Sequence, residues 1–244
     1  MCFFIMPAPK FSPQEQEKRV LDAAQACIEE TSLLDFSMSS ISQRAELSMG
    51  SVYKQVQSKE DLLVALATRM YQRELALFDR ILGFELSTPE KIVAISLLDR
   101  DKVNLFRFDA QLDNLVANTA ILQRASSLRV NQMLAASKAT AERFTQCFVL
   151  AVDRGEFLSG MELVEEMNIA AWSITVGYLR NVEHQLQWGE EGALINAQKP
   201  QVLTPNSVHI RGLVRLLNAY QWSQPLTEIG LHRICRVLQS QGLR

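Results

Sequence analysis

The chain has 244 residues, 48% of them apolar, and a formal net charge of −2. That is long enough for two domains and apolar enough for a substantial core, while no stretch approaches the roughly 20 apolar residues of a membrane span. The near-neutral charge lowers the affinity expected for nonspecific nucleic acid.

Ten glycines and seven prolines are few for this length. Strand-like alternation is scarce, and Ala, Leu, Gln, Glu, Arg and Met dominate, which favours an all-α protein. Cys2, Cys27, Cys147 and Cys235 are scattered without CxxC spacing. They fit a reducing cytosol, hence a cytoplasmic location, and neither a disulfide framework nor a zinc site. The apolar start, Met1 to Met6, is too short for a signal peptide and lacks a basic opening and a small-residue cleavage site. Met1 and Met6 are both candidate starts.

A first helix begins at Ser12-Pro-Gln-Glu15, where Ser12 caps, Pro13 suits the first helical position and Glu15 completes a capping box. Val20, Leu21, Ala24 and Ile28 share its apolar face, and it is expected to end near Glu30. A second helix starts after Ser37, an N-cap preceded by Phe36, with Met38, Ile41 and Ala45 turned inward. Leu47 lies in a turn, and Ser48 caps a third helix whose Val52 and Val56 point inward. Met49, Ser51, Lys54 and Gln55 are left outward. Ser58-Lys-Glu-Asp61 opens a long fourth helix carrying Leu62, Leu63, Leu66, Met70, Leu77, Phe78 and Ile81, with Gly83 as terminator.

Helical patterning continues beyond. Thr88-Pro89-Glu90 opens a helix to about Leu98. Longer stretches run from about Ala125 to Arg154, ended by Gly155, and from Met161 to about Trp188. Gly189 to Asn206 reads as a polar loop, and Ser207–Trp222 and Leu226–Gln239 as the last two helices, parted by Pro225. No internal repeat or low-complexity tract is present.

Two short helices with a tight turn, Ser37 to Gln55, form a helix–turn–helix, which sets one helix in the DNA major groove while its partner spans the backbone. Residues 1–60 carry six basic and eight acidic side chains, but from Ser37 to Lys59 Arg44, Lys54 and Lys59 oppose Glu46 alone. Hydroxyls, amides and helix N-termini also hold phosphates.

These residues resemble the DNA-binding pattern of the tetracycline-repressor (TetR) family, T-x-x-x-I-A-x-x-A-G-V-S-x-G-x-[LV]-Y-x-H-F-x-[SN]-K-x-x-L. Ser37 takes the first hydroxyl position and Ile41 the isoleucine; Ala45, Leu47 and Ser48 fall in the turn; Gly50, Val52, Tyr53, Ser58, Lys59 and Leu62 match. Four positions depart. Glu46 replaces the turn glycine, which suits a backbone that is not left-handed. Ser42 replaces alanine, and Gln55-Val56 replace His-Phe. The resemblance covers about residues 14–74. It implies a DNA-binding domain there, with its helix–turn–helix at about 37–56, and a helical regulatory and dimerisation domain at 75–244. It also implies a small-molecule effector and a two-fold dimer on a palindromic operator.

Residue roles follow from the resemblance and from side-chain chemistry. Tyr53 is expected on a phosphate or, on the plainer reading, packed between helices; Lys59 holds a phosphate beside free helix N-terminal amides or is simply solvated. Gly50 allows close approach to DNA or close packing of the two helices. Met49 and Ser51 face bases, with Lys54 at the groove edge. Gln43 and Arg44 are candidates for a guanine or phosphate contact, Gln55 for a phosphate contact, and the arm bearing Lys10 for the minor groove. Ser37 and Ser48 complete the DNA-facing set. Farther on, Phe106, Phe144, Phe148, Trp172 and Tyr178, with Phe108 and Trp188, line an apolar ligand pocket or fill a core. Arg180 and His184 face a ligand, a dimer partner or water. His184, His209 and His232 lack metal-ligand spacing.

The expected function is a cytoplasmic, nucleoid-associated transcriptional repressor that leaves its operator when an effector binds. A ligand-independent DNA-organising protein on the same scaffold is the alternative. No cofactor and no membrane association are expected. A helical enzyme or lipid-binding protein is a weaker alternative, since the sequence offers no nucleophile–base pairing, phosphate-cradling glycine loop or metal cluster.

Overall fold

The computed structural model describes residues 11–188, of which 179–188 by backbone alone, and 202–244. Met1, Cys2, Met6, Lys10 and most of the connection from Gly189 lie outside the described residues, as do the side chains of Arg180, His184 and Trp188.

Helices begin where the chain offers caps. α1 (Pro13–Glu30) carries the full capping box between Ser12 and Glu15. α2 (Met38–Ala45) is capped by the Ser37 side chain accepting from the Ser40 amide, and α3 (Met49–Gln55) by Ser48 accepting from the Ser51 amide. α4 (Lys59–Leu82) follows, its Asp61 amide donating to Ser58 Oγ. Phe36 and Ile41, the residues before and four after the Ser37 cap, are both buried and fix the entry into α2.

Packing divides the described residues into two units: those up to Arg73 with Leu105–Ser137, and Glu74–Asn104 with those from Lys138 on. In the first unit α1 packs against α2 and α3. Val20, Ala24, Ile41, Val52, Val56, Leu62 and Leu66 form its core. Leu105–Ser137, expected in the second domain, belongs to this unit. Phe106, Phe108, Leu112 and Val116 enter the same core. The segment forms α7 (Asp109–Val116), α8 (Thr119–Leu122) and the start of α9 (Ser127–Asp153). Tyr71 ties α4 to it by donating to Asp113 at 2.6 Å.

In the second unit α5 (Thr88–Ser96) is buried along nearly its whole length. It packs against α11 (Val208–Asn218) and α12 (Glu228–Ser240), and α11 packs against α10 (Val164–Trp188). A short α6 (Arg100–Val103) follows α5. Phe148, Phe157, Met167, Ile210 and Leu213 are fully buried within this core. Trp222 and Leu226, expected inside the last two helices, lie between them: Phe157 and Trp222 pair as an isolated antiparallel bridge with ring centroids 4.8 Å apart. The indole donates to the Leu217 carbonyl at 2.8 Å, ending α11 early.

Candidate nucleic-acid interface

The head is held from inside by apolar contacts and leaves one face of α3 free. Val52 and Val56 are completely buried, whereas Met49 is 39% and Tyr53 46% exposed. Ser48, Gly50 and Lys54 are exposed with them. Seven residues make just two turns of helix; the i, i+4 pair Val52–Val56 anchors one side and Met49–Tyr53 occupies the other. Tyr53 is therefore not packed between helices.

Gly50 is informative for what it lacks. A Cβ placed there would meet nothing nearer than Ser48 Oγ at 3.9 Å. The fold does not need glycine at this position, and tight packing of α2 on α3 does not explain it. Glycine inside a helix costs about 1 kcal/mol relative to alanine.

The remaining expected contacts differ in availability. Ser51 is half-buried, its hydroxyl 3.0 Å from that of Ser48. Gln43 is exposed. Arg44 is exposed but held by Glu30, at 2.6 and 2.7 Å to the two carboxylate oxygens, and that hydrogen bond pushes its pKa further up. Lys59 is exposed with its ammonium 4.8 Å from the Phe36 ring centroid, a cation–π contact beside the start of α4. Gln55 is half-buried and its carbonyl accepts from Arg129 at 3.0 Å. Ser37 is half-buried in its cap.

The turn corrects one expectation. Glu46 lies at φ 55°, ψ 39°, in the left-handed region, although a non-glycine there was expected to keep an ordinary backbone. Side chains of Arg19 and Ser42 brace this turn. Arg19 donates to the Ala45 carbonyl at 3.3 Å and lies 3.5 Å from the Glu46 carboxylate. Ser42 donates to the Leu47 carbonyl at 2.6 Å, so the serine that replaces alanine closes the turn.

The five aromatics expected around a pocket do not converge. Phe106 sits in the head core, stacked on Phe108 at 5.0 Å, so it belongs to a different unit from the others. Trp172 is 64% exposed and lines nothing internal. Phe148 is core; Phe144 packs edge-on against Phe78 at 5.0 Å, and Tyr178 stacks on His209 at 4.3 Å. Two open hollows mark the second unit. One, of about 340 Å³, is lined by Ser87, Glu90, Thr227 and Arg233 among others. The other, of about 260 Å³, is lined by Lys91, Arg143, Cys147 and Arg154 among others, with burial raising the Cys147 pKa. None of the five aromatics lines either. Among the described residues no three of His, Cys, Asp and Glu are placed to hold a metal, and no helix is long and apolar enough to cross a membrane.

Sequence reasoning placed Asp61 at the start of α4 but missed Ser126, which it holds, and Arg129, which grips the end of α3. The contacts span some 65 to 75 residues of chain, and no local pattern announces them.

The profile of the bacterial regulatory proteins, tetR family, matches residues 20–66. A search of curated proteins finds no match. Among solved structures, the chain is similar to a TetR-family transcriptional regulator from Cytophaga hutchinsonii (TM-score 0.59, 11% identity, covering 88% of this chain and 100% of that one). It is similar to a regulator of the TetR/AcrR family from Thermobifida fusca (TM-score 0.54, 19% identity, 85% and 99%). A third is FadR from Bacillus subtilis in complex with stearoyl-CoA (TM-score 0.51, 16% identity, 74% and 94%). Residues 20–66 thus match the family model of the bacterial regulatory proteins, tetR family, and the described residues share the helical fold of solved TetR-family regulators.

Proposed function

We propose that the protein represses transcription by binding a palindromic operator as a homodimer, with α3 in the major groove, and that a small-molecule effector held by the second unit releases it. The observation that carries the DNA-reading part is Gly50. It stands exposed between Met49 and Tyr53, on a helix face the fold leaves bare, and no neighbour of its own chain requires it. A glycine that the interior does not need suits a surface that must come close to a second molecule. Met49 offers an apolar contact to a thymine methyl, Tyr53 and Lys59 hold phosphates, and Lys54 lies at the groove edge.

Dimerisation is supported by α10. Ile169 is 56% and Trp172 64% exposed, three residues apart on one helical face, an apolar stripe suited to helix–helix pairing. Release by an effector draws support from FadR, solved with stearoyl-CoA on a similar fold. Binding then lowers operator affinity by as much as the effector prefers the released state.

Genome-wide footprinting of the purified protein tests this reading. A few protected palindromes, lost with Tyr53→Ala, are expected. No sequence-specific protection in the wild type overturns the DNA-reading assignment, and many sites indifferent to metabolites favour the ligand-independent alternative.

A further inference from the structure

The reading helix is not held by the helix–turn–helix alone. At its C-terminal end the last carbonyls have no partner within the helix, and α3 is too short to be stable by itself. One of these carbonyls, that of Gln55, accepts a hydrogen bond from Arg129 Nη2 at 3.0 Å. Arg129 comes from the first turn of α9, 74 residues later in the chain. Its side chain is only 14% exposed and also pairs with Glu17 of α1, while Gln132 accepts from it at 3.3 Å. One guanidinium thus joins α1, α3 and α9. A cation at a helix C-terminus is favourably placed in the field of the helix, and a planar, multi-donor head fixes direction as a flexible ammonium does not.

A second grip lies one turn on. Asp61, 2% exposed, accepts from the Gln57 amide at 3.0 Å and from the Ser126 amide and hydroxyl at 2.8 and 2.6 Å. Ser58 in turn donates to the Arg124 carbonyl at 3.1 Å. The peptide leaving α3 is therefore fastened by its own residues and by Arg124, Ser126 and Arg129, outside the helix–turn–helix.

We propose that Arg129 is a positioning residue for DNA recognition: by holding the Gln55 carbonyl and Glu17 together it sets the angle at which α3 presents Met49, Gly50 and Tyr53. The proposal rests on the reading that this face meets DNA. Arg129 itself touches no DNA in this account. Its loss impairs discrimination between sequences and leaves the charged phosphate contact, that of Lys59 on α4, intact.

The test compares full-length wild type, Arg129→Met and Arg129→Lys by fluorescence anisotropy on the footprinted operator and on a scrambled duplex of equal length, across a salt series. Amide exchange of the free proteins is followed alongside. Arg129→Met is expected to lose at least tenfold in operator affinity, with scrambled-duplex affinity and the slope of log affinity against log salt unchanged. Exchange at the 55–57 amides accelerates while that of α1 stays as in wild type. Arg129→Lys recovers part of the loss. An operator affinity unchanged in Arg129→Met overturns the proposal. So does an equal loss on both duplexes with a salt slope smaller by about 1, which marks a direct phosphate contact. Faster exchange throughout α1 and α2 also overturns it, since Arg129 is then merely structural. If Arg129→Met does not fold, Arg129→Lys decides by the same readouts. A wild type that cannot tell operator from scrambled duplex overturns the DNA-reading assignment itself, whatever the exchange data show.

Discussion

Arg19 of α1 reaches across to the turn of the head and stands 3.5 Å from the Glu46 carboxylate, at the one described non-glycine residue with positive φ. An L-residue in this conformation costs about 1–2 kcal/mol, and an ion pair this exposed returns about 0–1 kcal/mol. Glycine removes the strain but adds unfolded-state freedom of about 0.5–1 kcal/mol. Glu46→Gly is therefore expected to stabilise the head slightly, by up to about 1 kcal/mol, read as a higher urea midpoint. A midpoint that falls would show that the Arg19 contact outweighs the backbone strain.

Glu90 and Arg233 set a second expectation. The Glu90 side chain is 2% exposed and its carboxylate takes Arg233 at 2.6 and 3.0 Å and the Ser87 amide at 2.9 Å. Arg233→Ala strands a buried carboxylate and is expected to cost about 3 kcal/mol, measured by denaturation. The same carboxylate explains Gly230, where a Cβ would lie 2.8 Å from Glu90 Oε1. Alanine in a helix ordinarily gains about 1 kcal/mol over glycine. Gly230→Ala is expected to lose stability instead, because the displaced carboxylate must leave Arg233 or Ser87.

Acid should weaken the second unit through His209. Its ring is buried, its Nε2 has no hydrogen-bond partner, and burial depresses its pKa from 6.5 to about 4. The folded state holds the ring neutral while the unfolded chain takes up a proton below pH 6.5. The contribution is complete above about pH 6.5 and is lost as the pH falls towards 4, amounting to about 3 kcal/mol at most. His209→Phe keeps a ring against Tyr178 and removes the titration. Its stability is expected to fall less than that of the wild type between pH 6.5 and 4. Parallel curves for the two proteins would contradict the assignment.

Local signals were legible in the sequence, and long-range ones were not. Ser12, Ser37 and Ser48 cap α1, α2 and α3 as expected because a cap acts within three residues of its own position. Val52 turns inward because helical spacing decides it, whereas Val56, also buried, lies just past α3 in extended backbone. The segment around Phe106 and Leu112 returns to the head core, and no periodicity can say against which helix an apolar face will pack. Asp99 and Asn118 cap helices of only four residues, too short for a repeat to show. The Arg44–Glu30 pair and the Arg129 grip depend on tertiary placement alone.

Gly50→Ala tests the central claim most directly, because folding and DNA binding should respond with opposite sign. The added methyl enters open space, 3.9 Å from its nearest neighbour, and replaces the poorest ordinary helix former by the best, so the fold should gain about 0.5–1 kcal/mol. On the footprinted operator the same methyl stands between α3 and the groove, and affinity should drop tenfold or more. A more stable protein that binds its operator less tightly is the predicted result. A variant that binds as tightly as the wild type would contradict the placement of this face against DNA.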